Sequence, residues 1–304
     1  MFILWENMPS LLLAELLILS FTTINLYHAY QNGRKFIIFW LLTITTGLLN
    51  DNIFMLLSLS NTFWHAQGSI MLTERMPLYI LGVYNILLYP SSVLFDNVIY
   101  SSFLSGLIYA VYDCVGVNYI WWSWHTSDST VINRWWGVPY SSTCWSIIHS
   151  YCFFILYKII KNKFLLHIFD TPFMMIIMGF LSYPINNGIY CFNTLLYTCS
   201  FLILINFMGF NQNIYNCKKM KYNFLIYVML IVYFVSLFLI YNLLDSSKHK
   251  SYSIHQTYGP DNLYELDILG NKRKKYLSLN DNFYSFKIKD NIKLYTNKYT
   301  IYGL

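Results

Sequence analysis

Apolar residues run in long blocks along this chain, and polar residues gather between the blocks rather than alternating with them. A bilayer core about 30 Å thick needs roughly 20 apolar residues in a helix. Blocks of that kind cover residues 9–31, 36–59, 76–95, 98–117, 141–160, 165–185, 188–209 and 223–244, and they predict about eight transmembrane helices. The sixth block is the weakest, because Asp170 and Pro172 fall inside it. The alternative to a full span over 165–185 is a shortened helix that starts at Thr171 with Asp170 as its cap. Asn186-Asn187-Gly188 reads as the tight turn into the seventh. From Asp245 the pattern changes to short runs of alternating apolar and polar residues, as in Phe283-Tyr284-Ser285-Phe286-Lys287-Ile288-Lys289. Turn signals at Gly259-Pro260, Gly270-Asn271 and Asp290-Asn291 separate these runs. The predicted fold is an all-α polytopic membrane helical bundle, residues 1–244, followed by a small β-rich C-terminal tail domain, residues 245–304. Such a tail is too small to bury a large core alone and is expected to dock on the bundle.

Composition sharpens this picture. Of 304 residues, 56% are hydrophobic and only 11% are charged, where soluble domains carry about a quarter. Before Asp245 there are ten Lys/Arg and eight Asp/Glu, and the tail holds the remaining ten and six. The net charge of +6 is therefore divided between loop anchors and a basic tail, and no nucleic-acid partner is needed to explain it. With alternate loops taken as two sides, one side holds Arg34, Lys35, Lys158, Lys161, Lys163, Lys218, Lys219 and Lys221, and the other only Arg75 and Arg134. The basic side is cytoplasmic by the positive-inside rule. Both termini are then expected to be extracytoplasmic, in a secretory-pathway or plasma membrane. A seven-span count would instead move the tail to the cytoplasm. Met1–Ser10 lacks a basic n-region, so the first block reads as a retained helix. The six cysteines show no CxxC or Cys/His zinc spacing, no metal site is expected, and no cofactor is indicated.

The candidate chemistry lies where ionisable groups fall inside blocks, at an insertion cost of about 2.5–3.5 kcal/mol each. Glu15 lies roughly 9 Å from the outer end of the first span, and Asp51 roughly 22 Å from the cytoplasmic end of the second. Asp113 is similarly placed in the fourth, and His149 joins the same outer layer from the fifth. The outer loops add His65 in Asn61-Thr62-Phe63-Trp64-His65-Ala66-Gln67, and Trp121, Trp124, His125 and Asp128 in Trp121-Trp122-Ser123-Trp124-His125-Thr126-Ser127-Asp128. Arg134 follows in Arg134-Trp135-Trp136-Gly137-Val138-Pro139. Five of the nine tryptophans fall between positions 121 and 136. An interfacial aromatic belt accounts for much of this, but not for the His, Asp and Arg among them, and the loop reads as a cap over a polar cavity. Each site residue also has a structural reading. Glu15 can bond a neighbouring helix, and Asp51 and Asp113 can pair with Arg75 or Arg134. His65 and His125 can be interface residues. His28, His167 and His249, near span ends, are expected to be solvated.

These loop residues carry a resemblance. Asn61-x-Phe63-Trp64-His65-Ala66-Gln67, Met71-Leu72-x-x-Arg75-x-Pro77-Leu78, Tyr112-Asp113-x-x-Gly116, Trp121-Trp122-x-Trp124-His125-x-x-Asp128, Arg134-x-x-Gly137-Val138-Pro139 and His255-Gln256-x-x-Gly259-Pro260 resemble an uncharacterised family of multi-pass membrane proteins of protists, including malaria parasites, and of some invertebrates. The family brings no established activity with it. The Arg-x-x-Gly-Val-Pro stretch is also similar to bacterial carotenoid-pathway membrane hydratases, which add water across an isoprenoid double bond.

Three functions stay open. One is a membrane-embedded enzyme working by acid/base chemistry on a lipid or isoprenoid ligand at the outer membrane face. Asp51 or Asp113 would be the acid, with burial raising the carboxyl pKa. His65 and His125 would be bases, and Asp128 would fix the tautomer of His125. Arg134 would hold an anionic headgroup, and Trp121, Trp124, Glu15 and His149 would line the substrate. The second is a proton- or cation-coupled transporter using the same acids. The third is a non-catalytic membrane scaffold.

Overall fold

A computed structural model describes residues 6, 8–56, 63–73, 76–124, 131–186, 189–209, 214, 220–253, 263–266, 272–274, 286–288 and 299–303. Among these, eight α-helices follow one another: α1 (Pro9–Asn32), α2 (Arg34–Leu56), α3 (Tyr79–Leu94), α4 (Val98–Asn118), α5 (Tyr140–Ile159), α6 (Leu166–Asn186), α7 (Phe192–Phe207) and α8 (Asn223–Leu243). They match the apolar blocks, with α3 and α7 several residues shorter than expected. Local chemistry sets several ends. Pro9 opens α1 at a position where its missing N–H costs nothing. Gly33, at φ +97°, turns α1 into α2 in a single residue. The Asn97 side chain caps α4 by accepting from the amides of Ile99 and Tyr100.

Four segments are long and apolar enough to cross a membrane: Pro9–Asn32, Val98–Asn118, Lys163–Pro184 and Asn223–Leu243. The chain is a helical membrane protein. Tyr79–Leu94 and Phe192–Phe207 are apolar but shorter. The other two helices, α2 and α5, have the length but carry Thr43, Thr46, Asn50 and Asp51, and Ser142, Thr143, Ser146 and His149. The bundle's outer surface is apolar. On α8 only Ile226, Met229, Leu230, Tyr233, Leu237 and Ile240 are buried, while Phe224, Ile231, Phe238 and Leu243 face outward. That distribution suits lipid rather than water.

Helix α3 sits at the centre. It packs against α1, α2, α4 and α8, and all its residues except Leu81 and Leu94 are buried. Pro90 interrupts its backbone ladder, and nearby the hydroxyls of Ser91 and of Ser105 on α4 donate to the Leu87 carbonyl. Helices α4 and α5 close up because Gly106 has no side chain: a Cβ there would collide with Ile147.

Loop contacts fall into two layers. At one end, β1 (Phe63–His65, after α2) pairs with β2 (Trp122–Trp124, after α4). There too the Asn133 amide donates to the Tyr190 carbonyl across 3.0 Å, and the Ser10 amide to His249 Nε2 across 3.3 Å. At the opposite end the Lys221 amide donates to Asn32 Oδ1 (2.7 Å), Asn97 Nδ2 to Asn206 Oδ1 (2.9 Å), and the Ile214 amide to the Asp96 carbonyl (2.6 Å).

Two expectations need correction. Asp170 does not cap a short helix. A 3-10 turn, Lys163–Leu165, capped by Asn162, leads into α6 at Leu166, and Asp170 lies buried inside α6 because Thr46 of α2 bonds it. His28, His167 and His249 are not solvated. His28 is sandwiched by Tyr89 (2.9 Å) and Asn223 (3.2 Å), and His167 meets Thr45 (2.8 Å). His249 is buried against Tyr119. Position near a span end does not imply exposure when a neighbouring helix runs past it.

In the tail, strands β5 (Lys250–Ser253), β9 (Tyr299–Gly303) and β8 (Phe286–Ile288) form an antiparallel sheet in the order β5-β9-β8. β6 (Tyr264–Leu266) pairs with β7 (Lys272–Lys274). The turn signals at Gly259-Pro260, Gly270-Asn271 and Asp290-Asn291 lie outside the described residues.

Candidate functional site

The two tryptophan-bearing loop motifs are halves of one ribbon. In the β1–β2 pair, Phe63 faces Trp124, Trp64 faces Ser123 and His65 faces Trp122. The Ala66 amide extends it by donating to the Trp121 carbonyl (2.8 Å). The chain enters β2 through Ile120 at φ +54°, where Ile120 donates to Val117 and Trp121 to Gly116 in a six-to-one helix stop. That turn points the indoles inward. Trp121, Trp122 and Trp124 are all buried. Trp121 Nε1 donates to Ser10 Oγ (2.9 Å), and the Trp122 ring stands 4.7 Å from Tyr112. Trp136, at 84% exposure, is the one in this stretch that fits an interfacial belt.

The Arg134–Pro139 stretch is a tight hairpin. β3 (Arg134–Trp135) pairs with β4 (Val138–Pro139), with Trp136 and Gly137 both at positive φ in the turn (+47° and +81°). The Arg134 guanidinium donates to the carbonyls of Val131 (3.1 Å) and Trp124 (3.0 Å), so it ties hairpin to ribbon. His125 and Asp128 lie outside the described residues, as does Arg75.

Beneath the ribbon lies the first carboxylate. Asp51 Oδ1 accepts from the Tyr84 hydroxyl at 2.6 Å, and Asp51 Oδ2 is 3.7 Å from His65 Nε2. Asn50 Nδ2 donates to the same Tyr84 hydroxyl (2.8 Å), and Asn50 Oδ1 accepts from Thr171 of α6 (2.9 Å). Gly47, one turn earlier, leaves room for the Tyr84 ring: a Cβ there would sit 2.6 Å from it.

The second carboxylate is deeper. Asp170 Oδ2 is 3.1 Å from His149 Nε2, with the two side chains 1% and 0% exposed, and it also accepts from Thr46 Oγ1 at 2.8 Å. Trp145, one helical turn before His149, stacks on the imidazole at 5.2 Å and 12°. Tyr84 presents an edge to the same imidazole at 5.5 Å. Tyr84 thus touches both centres, with its hydroxyl on Asp51 and its ring on His149. Helices α2, α3, α5 and α6, with strand β1 supplying His65, together hold two histidine–carboxylate pairs joined through one tyrosine.

The remaining predicted residues are elsewhere. Asp113 on α4 accepts from Ser142 Oγ of α5 at 2.6 Å. It adjoins Tyr112, which lines a small apolar cavity with Ile18, Ile108, Tyr109 and Tyr233. Glu15 accepts from the Ser69 amide (2.9 Å) and from the Ser69 hydroxyl, and so pins the segment before α3 to α1.

The sequence does not mark Tyr84 or Thr46, and it marks Asp170, Thr171 and His167 as span-end features rather than as members of a site. One signal was available: Thr43, Thr46, Gly47 and Asn50 recur at helical spacing, a polar stripe inside an apolar helix. Asp170 was read as a break in its span because a carboxylate in an apolar block looks like a boundary until its neighbours are known. Among the described residues no group of three or more His, Cys, Asp or Glu is arranged to hold a metal ion. The described cysteines Cys114, Cys144, Cys152, Cys191 and Cys199 are unbridged.

Compared with known proteins, residues 1–263 match the model of a family described as Domain of unknown function (DUF7802). No curated protein and no solved structure matches the chain.

Proposed function

We propose that this chain, which belongs to the DUF7802 family, is a proton-coupled membrane protein whose helix bundle takes up and releases protons at two linked histidine–carboxylate pairs. The observation that carries this reading is the His149–Asp170 pair, 3.1 Å apart and sealed from solvent between α5 and α6. A buried ion pair is a poor stabiliser, because desolvation cancels most of the attraction and apolar residues of equal size serve packing as well or better. An ionisable group inside a membrane bundle is therefore a functional group by default, and paired His and Asp chains are the side chains that bind transported protons. Tyr84 supports coupling between the centres, since a change of charge at Asp51 acts directly on the hydroxyl whose ring contacts His149.

The eight helices are proposed as eight crossings, with the basic loops cytoplasmic and the N-terminus and the 245–304 tail extracytoplasmic. Two features support this. Among the described residues, the hydrogen bonds between loops named above join loops of the same expected side. Arg34, Lys35, Lys161 and Lys221 all lie at the end opposite the ribbon, as the charge asymmetry requires.

The test is proton flux. The full chain is reconstituted in liposomes with an entrapped pH-sensitive dye, and a pH gradient is imposed. Dissipation above that of empty liposomes is expected, falling tenfold or more in Asp170→Asn. Wild-type flux equal to empty liposomes, or undiminished flux in the variant, would overturn the proposal.

A second reading has its own observation. Asp113, with Ser142 beside it, is next in the chain to Tyr112, one of three tyrosines that line an apolar cavity. An acid so placed suits protonation of an isoprenoid or other lipid carbon skeleton at the outer face. A changed lipid product profile in Asp113→Asn, with flux through the His149 pair intact, would favour the enzyme.

A further inference from the structure

Helix α1 begins without a cap of its own. Its N-cap residue, Met8, makes no side-chain cap bond, and among the described residues no side chain close in sequence caps the first turn. The acceptor comes from the far end of the sequence: the Ser10 amide donates to Nε2 of His249, 3.3 Å away. The tautomer is set by geometry. His249 Nδ1 lies 3.0 Å from the Asp245 carbonyl, which can only accept, so Nδ1 carries the proton and Nε2 keeps its lone pair for Ser10. The imidazole is 2% exposed and stands edge-on to Tyr119 at 4.8 Å.

We infer that His249 is a pH-sensitive latch: as a neutral imidazole it caps α1 and clamps the start of the tail to the bundle, and protonation opens the clamp. A proton on Nε2 removes the only lone pair that Ser10 uses. It also places a positive charge at the positive end of the α1 dipole, where charge of that sign is unfavourable. This device does not rest on the proton-coupling reading, since neither His249 nor Ser10 belongs to either histidine–carboxylate pair.

The surroundings of His249 support neutrality. Burial lowers its pKa below the ordinary 6.5, and the nearby Asp245 opposes this only in part. The Asp245 carboxylate is itself paired with Lys248 at 3.3 Å on the exposed side. From the end of α4 the facing group is Tyr119, whose phenol burial pushes up to about 12, so it stays neutral. From α1 the facing groups are the amide and hydroxyl of Ser10, which do not titrate. The direction follows. Above pH 6.5 the ring is neutral whether clamped or released, and the latch is at full strength. Below it the released ring gains its proton first, and the closed-to-open ratio falls up to tenfold per pH unit until the lowered folded-state value is passed.

The experiment is amide exchange on the full chain in nanodiscs between pH 7.5 and 5.0, with rates corrected for the intrinsic pH dependence of exchange. Protection at residues 10–12 is expected to fall by up to tenfold per pH unit below 6.5, together with faster tryptic cleavage at Lys248 and Lys250. His249→Gln keeps a neutral acceptor at the Nε2 position and should flatten both responses. His249→Ala should show the released behaviour at every pH. Wild-type protection that does not change with pH would overturn the latch, and so would an unchanged pH response in His249→Gln. Should His249→Gln lose protection in α3 and so fail to fold, the ring nitrogens of 15N-histidine-labelled wild type decide the question instead. The His249 signals are assigned as those missing from labelled His249→Ala; Nδ1 protonation with titration below 6.5 at that ring supports the latch, and any other behaviour of that ring overturns it.

Discussion

Replacing Asp170 by alanine should destabilise the bundle severely, and replacing both members of its pair should not. The alanine variant removes the carboxylate that meets His149 at 3.1 Å and Thr46 at 2.8 Å, in a place with no solvent to substitute. Breaking a buried pair from one side costs about 3–5 kcal/mol, because the surviving partner is left uncompensated. Asp170→Asn keeps an oxygen for the Thr46 hydroxyl and a group that His149 can bond, so its cost should be about 1–2 kcal/mol. The double variant Asp170→Leu with His149→Phe removes both polar groups and retains a ring for Trp145 to stack on. Thr46 can then turn its hydroxyl to the Leu42 carbonyl, as threonines in helices commonly do. This variant should lie between the parent and about 1–4 kcal/mol above it in stability, while carrying no proton flux. Reversible unfolding in bicelles measures the stabilities, and liposome flux measures the function. An alanine variant within about 1 kcal/mol of the parent would show that the pair is not held dry. A double variant as unstable as the single would show that shape, not charge, sets the cost.

Tyr84→Phe should cost about 1–3 kcal/mol by stranding the Asp51 carboxylate and the Asn50 amide together, and should reduce flux in the same liposome assay. Gly106→Ala should cost about 1–3 kcal/mol through overlap with Ile147, with Ile147→Ala restoring part of the loss in a double-mutant cycle. A glycosylation sequon engineered near Asp261 should be modified in microsomes; an unmodified, protease-sensitive tail would place it in the cytoplasm.

The helices were legible because each is an apolar run of bilayer length, and that signal does not depend on what the helix packs against. Their starts were less so: α3 begins at Tyr79 and α7 at Phe192, several residues inside the apolar runs expected for them. The site was legible in depth and not in azimuth. Counting residues put Asp51, Asp113 and His149 in one layer, yet it could not say that His149 turns toward α6 while Asp113 turns toward Ser142. Asp51 and His65 were both singled out, but their approach depends on a ribbon that pairs two loops from distant parts of the chain. The tryptophans after α4 carry the same lesson. In sequence they are interface residues by type, and in the fold the left-handed turn at Ile120 carries Trp121, Trp122 and Trp124 inward.

The enclosure of α3 bears on how the protein is made. A ribosome delivers α3 long before α8, yet α8 covers part of the groove between α1, α3 and α4, with the Tyr233 hydroxyl donating to the Ile108 carbonyl. Until then a short helix carrying Asn85, Ser91 and Ser92 has an incomplete jacket. During synthesis that gap has to be filled by lipid or by an insertion chaperone, and the last helix then displaces the stand-in. A nascent chain stalled before Asn223 would present the quality-control machinery with an open seam down its centre, so commitment to the finished fold waits for α8.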